Sequence, residues 1–146
     1  MKIYMDTCCF NRTLDDLSQL RVALEAEAIL GMLKLCEESS LTLIASEVLV
    51  YEIQNDPSRR RRLLVEEMVA MSQLVVKIDL EVLKRGQAFK SSGINGVDAL
   101  HLAAAERGKA DIFCSCDDRL IKRAKIRTDL TVRPLLPLEA AQEIRQ

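Results

Sequence analysis

A chain of 146 residues with 49% hydrophobic side chains suits one domain with an ordinary core; at this length roughly 68–70% of the unfolded surface is buried and no staples are needed. A net charge of −1 gives no global basic field for nucleic acid, and an aromatic content of 3% without Trp leaves little for a base-stacking platform. No run approaches the ~18 apolar residues of a membrane span, and Asp6 brings a charge too early for a signal peptide, so the chain reads as cytosolic and independent of the membrane.

Lys2-Ile3-Tyr4-Met5 is a short β-rich run ending in Asp6. Gln19 to Glu38 carries Leu20, Leu24, Ala28 and Leu35 at helical spacing, widened by Val22, Ile29 and Leu33, with Ser18 as N-cap. Leu41 to Ala45 is a buried strand, and Ser46 caps a helix running to about Gln54. Asp56-Pro57 has the form of a helix start, Asp at the cap and Pro at the first helical position, and that helix runs to about Met71. Leu74-Val75-Val76 is a further strand, and Asp79 caps a helix ending near Ser91-Ser92-Gly93. Asn95 or Gly96 opens an apolar helix that Gly108 closes. Asp111 to Cys116 is a strand, Asp117 starts a helix to about Ala124, Leu130 to Arg133 is a final strand before Pro134, and Leu138 to Arg145 is a terminal helix. Strands separated by helices predict a single α/β domain: a mostly parallel central sheet, right-handed crossovers and helices on both faces, a three-layer α/β/α arrangement.

Four acids stand at the ends of these β/α units: Asp6, Glu52, Asp98 and Asp117. Ligands of a parallel sheet bind outside the carboxyl ends of its strands, and carboxylates gathered there repel unless a cation joins them. With 22 acids in the chain, position alone is weak. Asp98 and Asp117 lie at helix N-termini, where a carboxylate is favourable by roughly 0.3–1 kcal/mol, and capping alone accounts for either. Asp6 directly follows a strand, where Asp is depleted. Glu52 lies in the last turn of its helix, where a negative charge is mildly unfavourable; Glu47, in the first turn, reads as a cap. His101 follows Asp98 by three residues and shares its helix face, as an orienter of Asp98, a proton shuttle or a packing residue. Asp118 reads as solvent-facing.

The blocks Met5-Asp6-Thr7, Ser46-x₅-Glu52-Ile53, Val97-Asp98-Ala99-Leu100-His101-Leu102-Ala103 and Cys114-Ser115-Cys116-Asp117-Asp118-Arg119-Leu120 resemble, in order, the four blocks of the PIN domain family. The resemblance covers nearly the whole chain. It implies a parallel sheet flanked by helices and a Mg²⁺- or Mn²⁺-dependent endonuclease acting on RNA. It makes Asp6, Glu52, Asp98 and Asp117 the catalytic acids, with Asp6, Asp98 and Asp117 on the metal. Thr7, Asn11, Ser115 and His101 become supporting groups, Ser115 by holding a carboxylate or water. The chain resembles small bacterial PIN toxins in size, which implies an antitoxin partner, with a homodimer as a further assembly. It departs from them at Cys8-Cys9-Phe10-Asn11-Arg12, where many relatives have Asn directly after Asp-Thr; either Asn11 takes that role from further along or the groups supporting the acids differ.

Competing readings fare worse. A single His and no Gly-x-Ser-x-Gly argue against an acyl-transfer hydrolase. No Gly-rich loop follows the first strand, against dinucleotide or ATP binding. A receiver-type signalling module would want its acids after other elements. Structural zinc at Cys8, Cys9, Cys114 and Cys116 does not match the usual C-x₂₋₄-C spacing, and the five cysteines read as thiols, packed as small hydrophobes or else redox-sensitive beside the acids. A PIN-like module that binds nucleic acid or a partner without cutting is the main alternative. The run Arg59-Arg60-Arg61-Arg62 is the candidate nucleic-acid path, against its reading as a solvated helix face.

Overall fold

The computed structural model describes residues 1–144. Its strands are β1 (Lys2–Met5), β2 (Thr42–Ser46), β3 (Leu74–Val76), β4 (Ile112–Cys114) and β5 (Arg133–Leu135). They form one sheet in the order β3-β2-β1-β4-β5, every neighbouring pair parallel. The helices are α1 (Thr7–Arg12), α2 (Leu20–Glu37), α3 (Glu47–Gln54), α4 (Arg59–Val69), α5 (Leu80–Ala88), α6 (Gly96–Arg107), α7 (Asp118–Ile126) and α8 (Pro137–Glu143), with a 3₁₀ turn at Phe89–Ser92.

Strand alternation divides the core into two layers. Ile3, Met5, Leu43, Ala45, Ile112 and Cys114 point to one face, against α1 to α4 and α8. Tyr4, Ile44, Phe113 and Val76 point to the other, against α5, α6 and α7. Each fully buried large side chain contributes roughly 1.5–3 kcal/mol. The chain first steps from β1 outward to β3 with its helices on one face, then crosses back to β4 and β5 with its helices on the other. Direction and face reverse together, as a single crossover hand requires. The three-layer α/β/α expectation is met, with a sheet that is parallel throughout. Among the described residues no helix is long and apolar enough to cross a membrane.

Several local expectations shift. α1 was not anticipated: Thr, Cys, Phe and Asn are poor helix formers, and burial of Cys9 and Phe10 holds this one-and-a-half-turn helix in place. α2 starts one residue beyond the expected cap, at Gln19, while Ser18 bonds Asp16. Its buried side is Ala26, Ile29, Met32, Leu33 and Cys36, whereas Leu20 is 74% exposed and Leu24 41%. α4 is capped by Ser58, not Asp56; the Asp56 carboxylate accepts from Ser58 N at 2.9 Å and Pro57 lies in the turn before the helix. β5 lies further along than Leu130 to Arg133 and includes Pro134, which an edge strand tolerates because one side of it has no ladder to break. Glu47 is not the cap of α3; Ser46 caps it, and the Glu47 carboxylate accepts from Ile78 N at 2.7 Å, fixing the end of β3. Of the terminal helix, Arg145 falls outside the described residues.

Gly108, just after α6, sits where the chain grazes the sheet. A Cβ there would lie 2.8 Å from Cγ2 of both Ile44 and Val76, two buried strand residues. Gly108→Ala is therefore expected to destabilise the fold by about 1–3 kcal/mol through overpacking, lowering the urea midpoint with an unchanged m-value; an unaltered midpoint would show that this contact yields freely.

Candidate active site

The sheet order places a switch point between β1 and β4, where the chain has run outward to one side and then to the other. Ligands of open α/β sheets bind at such crevices. Asp6 sits there: it follows β1, and its N–H donates to the Cys114 carbonyl of β4 at 3.2 Å. Asp6 is the N-cap residue of α1 in extended conformation, yet its side chain makes no capping bond. Instead the carboxylate is 4% exposed and accepts from the Cys8 thiol at Oδ1, 2.8 Å away. Burial pushes this carboxyl well above the usual carboxylate range; neighbouring Cys8 adds to the rise, and His101 and a hydrogen bond from Ser115 offset part of it.

Ser115, fully buried one residue past β4, joins the two strand ends. Its Oγ accepts from Asp117 N at 3.1 Å and stands 3.4 Å from the Cys8 sulfur. Asp117 is a true cap: Oδ1 accepts from Arg119 N at 3.0 Å and Leu120 N at 3.2 Å, while Oδ2 takes neither bond. Asp98 is not a cap. Asn95 holds that position for α6, and Asp98 projects from the first turn at the exposed rim. Its carboxyl is raised by lost solvent and by the charges of Asp117 and Glu52, against a lowering by His101. Asp98 thus feels the charges of both other acids across the crevice mouth.

Glu52 approaches from α3. Its Oε1 accepts from Thr7 Oγ1 and from His101 Nε2, both at 2.5 Å. Burial raises the Glu52 carboxyl, but these two bonds and the His101 charge outweigh it, and the net shift is downward. On its other side His101 Nδ1 lies 2.5 Å from the Tyr4 hydroxyl, which lies 2.7 Å from Ser46 Oγ. Ser46 Oγ in turn accepts from Leu49 N at 3.2 Å. One proton arrangement satisfies every hydroxyl: Ser46 donates to Tyr4, Tyr4 to Nδ1, and Nε2–H to Glu52. His101 is 2% exposed and orients Glu52, not Asp98, because its ring points inward from α6 toward α3. Tyr4 was not singled out in the sequence; its place near the end of β1, two residues before Asp6, is the signal that could have found it.

The remaining candidates stand apart. Asn11 is half-buried near the far end of α1, and its carbonyl is what Arg61 reaches, at 3.3 Å. The arginine run divides. Arg61 holds α1 and lies 3.6 Å from Asp15, and Arg62 donates to the Asp56 carbonyl at 2.7 Å. Arg59 and Arg60 are exposed. Asp118 is exposed but paired, with both carboxylate oxygens on Arg21 at 2.7 and 2.9 Å. Among the described residues, Asp6, Glu52, Asp98 and Asp117 provide no set of three with oxygens within 4.8 Å of one another.

A model of the PIN domain family matches residues 3–126. The chain belongs to the PIN domain family. PIN domains are generally nucleases and typically bind a divalent metal. Among solved structures, the PIN chain is similar to one from VapBC2 of Rickettsia felis bound to a DNA fragment from their promoter, with a TM-score of 0.60 and 11% identity over 93% of this chain and 98% of that one. At that identity the likeness is one of fold. No curated protein matches the PIN chain by sequence.

Burial of Asp6 has a pH signature. Its folded-state value lies above the unfolded one, near 3.9, so ionisation opposes folding once the pH passes that value, and below it both states are protonated and nothing is lost. Asp6→Asn is expected to raise the urea midpoint at pH 8 in the presence of chelator, with the gain shrinking to nothing as pH falls through about 4. A variant no more stable than its parent at pH 8 would mean the carboxylate is well solvated in solution.

Proposed function

We propose that this PIN domain is a metal-dependent endoribonuclease that hydrolyses RNA phosphodiester bonds, and that it is the toxin of a toxin–antitoxin pair. The observation that carries the reading is a nearly waterless carboxylate, Asp6, at the switch point of a parallel sheet, with Glu52, Asp98 and Asp117 around the same mouth. The donor set fits Mg²⁺ or Mn²⁺: it is made of hard carboxylate oxygens, and His101 is already committed to Glu52 and Tyr4. Asp6, Asp98 and Asp117 would hold the cation. When bound, such an ion supplies an activated water and stabilises charge on the phosphate and the departing oxygen.

The chain's own groups do the rest. Thr7 and His101 both bond Glu52 Oε1, which leaves Oε2 to serve as the acceptor for a water proton. Ser115 fixes the distance between the β1 and β4 ends, so Asp6 and Asp117 move together. The acids alone repel phosphate, so affinity for RNA must come from cations nearby. Arg59 and Arg60 suit that task, since Arg61 and Arg62 are spent on the fold. Size, together with the fold shared with a chain of VapBC2, supports an antitoxin as partner.

The alternative, a PIN module that binds without cutting, has one observation behind it: the wide spacing of the acids. Cleavage assays separate the two. Labelled RNA is expected to be cut with Mg²⁺ or Mn²⁺ and to survive with EDTA. Asp98→Asn and Asp117→Asn are each expected to lower turnover by about 100-fold or more, since a lost ligand removes several kcal/mol of charge stabilisation. Intact RNA in every metal, with binding retained, would establish the non-cleaving module. Unchanged cleavage by Asp98→Asn would falsify the assignment of the acids.

The arginine split gives a second expectation. Replacing Arg59 and Arg60 by Ala should reduce the salt slope of single-stranded RNA binding by about 1.4, at roughly 0.7 per phosphate contact. An unchanged slope in a filter-binding titration would return both to the solvated surface.

A further inference from the structure

The cysteines around the crevice are closer in space than their spacing in sequence suggests. Cys8 and Cys9 start α1, and Cys116 follows β4. Because β1 and β4 are paired neighbours with Met5 opposite Cys114, the residues just past the two strand ends meet. The ligand sulfurs of Cys8, Cys9 and Cys116 all lie within 4.8 Å of one another, the one such group of His, Cys, Asp or Glu found among the described residues. Cys9 and Cys116 are buried and Cys8 is half-buried, so the group has a solvent-facing door. Cys114 Sγ is 3.8 Å from Cys9 Sγ, just behind it. Sulfurs on a tetrahedral ion with ~2.3 Å bonds stand roughly 3.8 Å apart. None of the five cysteines is in a disulfide.

We propose that Cys8, Cys9 and Cys116 form a binding site for a thiophilic divalent cation, Zn²⁺ in the first place, separate from the acids that face the crevice. Soft thiolates select such ions over Mg²⁺ or Mn²⁺. Each thiol that binds gives up its proton to solvent, and no electron is transferred. Three thiolates on a divalent ion leave a net charge of −1 beside the Arg12 guanidinium, which also lies 3.4 Å from Glu25 and 3.5 Å from Asp15. A monovalent soft ion would leave −2 and is less well matched. Occupancy also acts on the neighbouring site: the Cys8 proton that the Asp6 carboxylate now accepts would be lost, and Cys8 would turn from Asp6 toward Cys9 and Cys116. That last coupling rests on the nuclease reading; the site itself does not.

The experiment is a titration of the reduced, full-length protein with Cd²⁺ under anaerobic conditions, read by thiolate-to-metal charge-transfer absorption, followed by displacement with Zn²⁺. The expected result is a band that saturates at one equivalent, with the half-buried Cys8 alkylated at least tenfold more slowly than in the metal-free protein. The band should persist in Asp98→Asn/Asp117→Asn, which separates it from the acidic crevice, and in Cys36→Ser, whose cysteine lies away on α2. It should weaken by a third in Cys8→Ser, with affinity lowered at least tenfold. Cys8 is the least buried of the three, so this variant is the one best placed to fold, and circular dichroism checks that it does. Tight Cd²⁺ binding without a thiolate band, no binding at one equivalent, or a band unchanged in folded Cys8→Ser would each overturn the proposal. If Cys8→Ser fails to fold, the wild-type stoichiometry and thiol protection decide alone: Cys8 alkylated as fast in saturating Cd²⁺ as without metal would overturn it.

Discussion

Asp6 carries a carboxylate into a place where almost no water reaches it, and the arrangement of the molecule around the crevice follows from keeping it there. The strand before it is central, paired on both sides, so its end cannot retreat toward solvent. α1 begins at once after it and brings the Cys8 thiol to its oxygen. Ser115 braces it from the adjacent strand. An isolated buried carboxylate is costly unless hydrogen-bonded or neutralised, and a fold that keeps one has been shaped for something other than stability alone. The cost is the signature of a site, which the position of a switch point then explains.

The architecture could be read because it is written locally. Apolar runs bounded by caps mark strands and helices, and alternation of the two leaves few topologies. The positions of Asp6 and Asp117 at β/α junctions were legible for the same reason, as was the capping function of Ser46 and Asp79, whereas Asp98 follows a helix and a 3₁₀ turn and not a strand. What could not be read was which side chains meet across the sheet. Tyr4 and Ser46 are separated by 42 residues, Tyr4 and His101 by 97, His101 and Glu52 by 49. No spacing rule links them. From sequence, His101 was nearest Asp98 along its helix; in space the inward face of α6 turns it to α3.

The arginine run and α2 show the same limit from the surface side. Four consecutive arginines look alike in one dimension, yet a helix turns successive residues by about 100°, so a run must split between solvent and protein. Arg61 and Arg62 took the inner positions. On α2, Leu20 and Leu24 satisfy helical periodicity but precede the part of the helix that lies on the sheet, so their spacing marked the helix without marking its buried side. The C-x₂₋₄-C spacing rule could not show that Cys8, Cys9 and Cys116 meet: it applies to ligands from one loop, whereas adjacent ends of parallel strands bring short motifs from distant segments together.

The chain of bonds from Leu49 N through Ser46, Tyr4 and His101 to Glu52 has a thermodynamic consequence for recognition. A glutamate on a helix surface samples many rotamers, and immobilising it on binding costs roughly 1.5–2 kcal/mol of side-chain entropy. Here that freedom is surrendered during folding, because a buried imidazole and a threonine hydroxyl hold one oxygen from two directions. The carboxylate is therefore immobilised before anything binds, and a ligand that met it would find no loss of conformational freedom to make good at this residue. The α3 wall of the crevice is thus fixed by hydrogen bonds to Glu52, while Asp98 stands at the more exposed rim on α6.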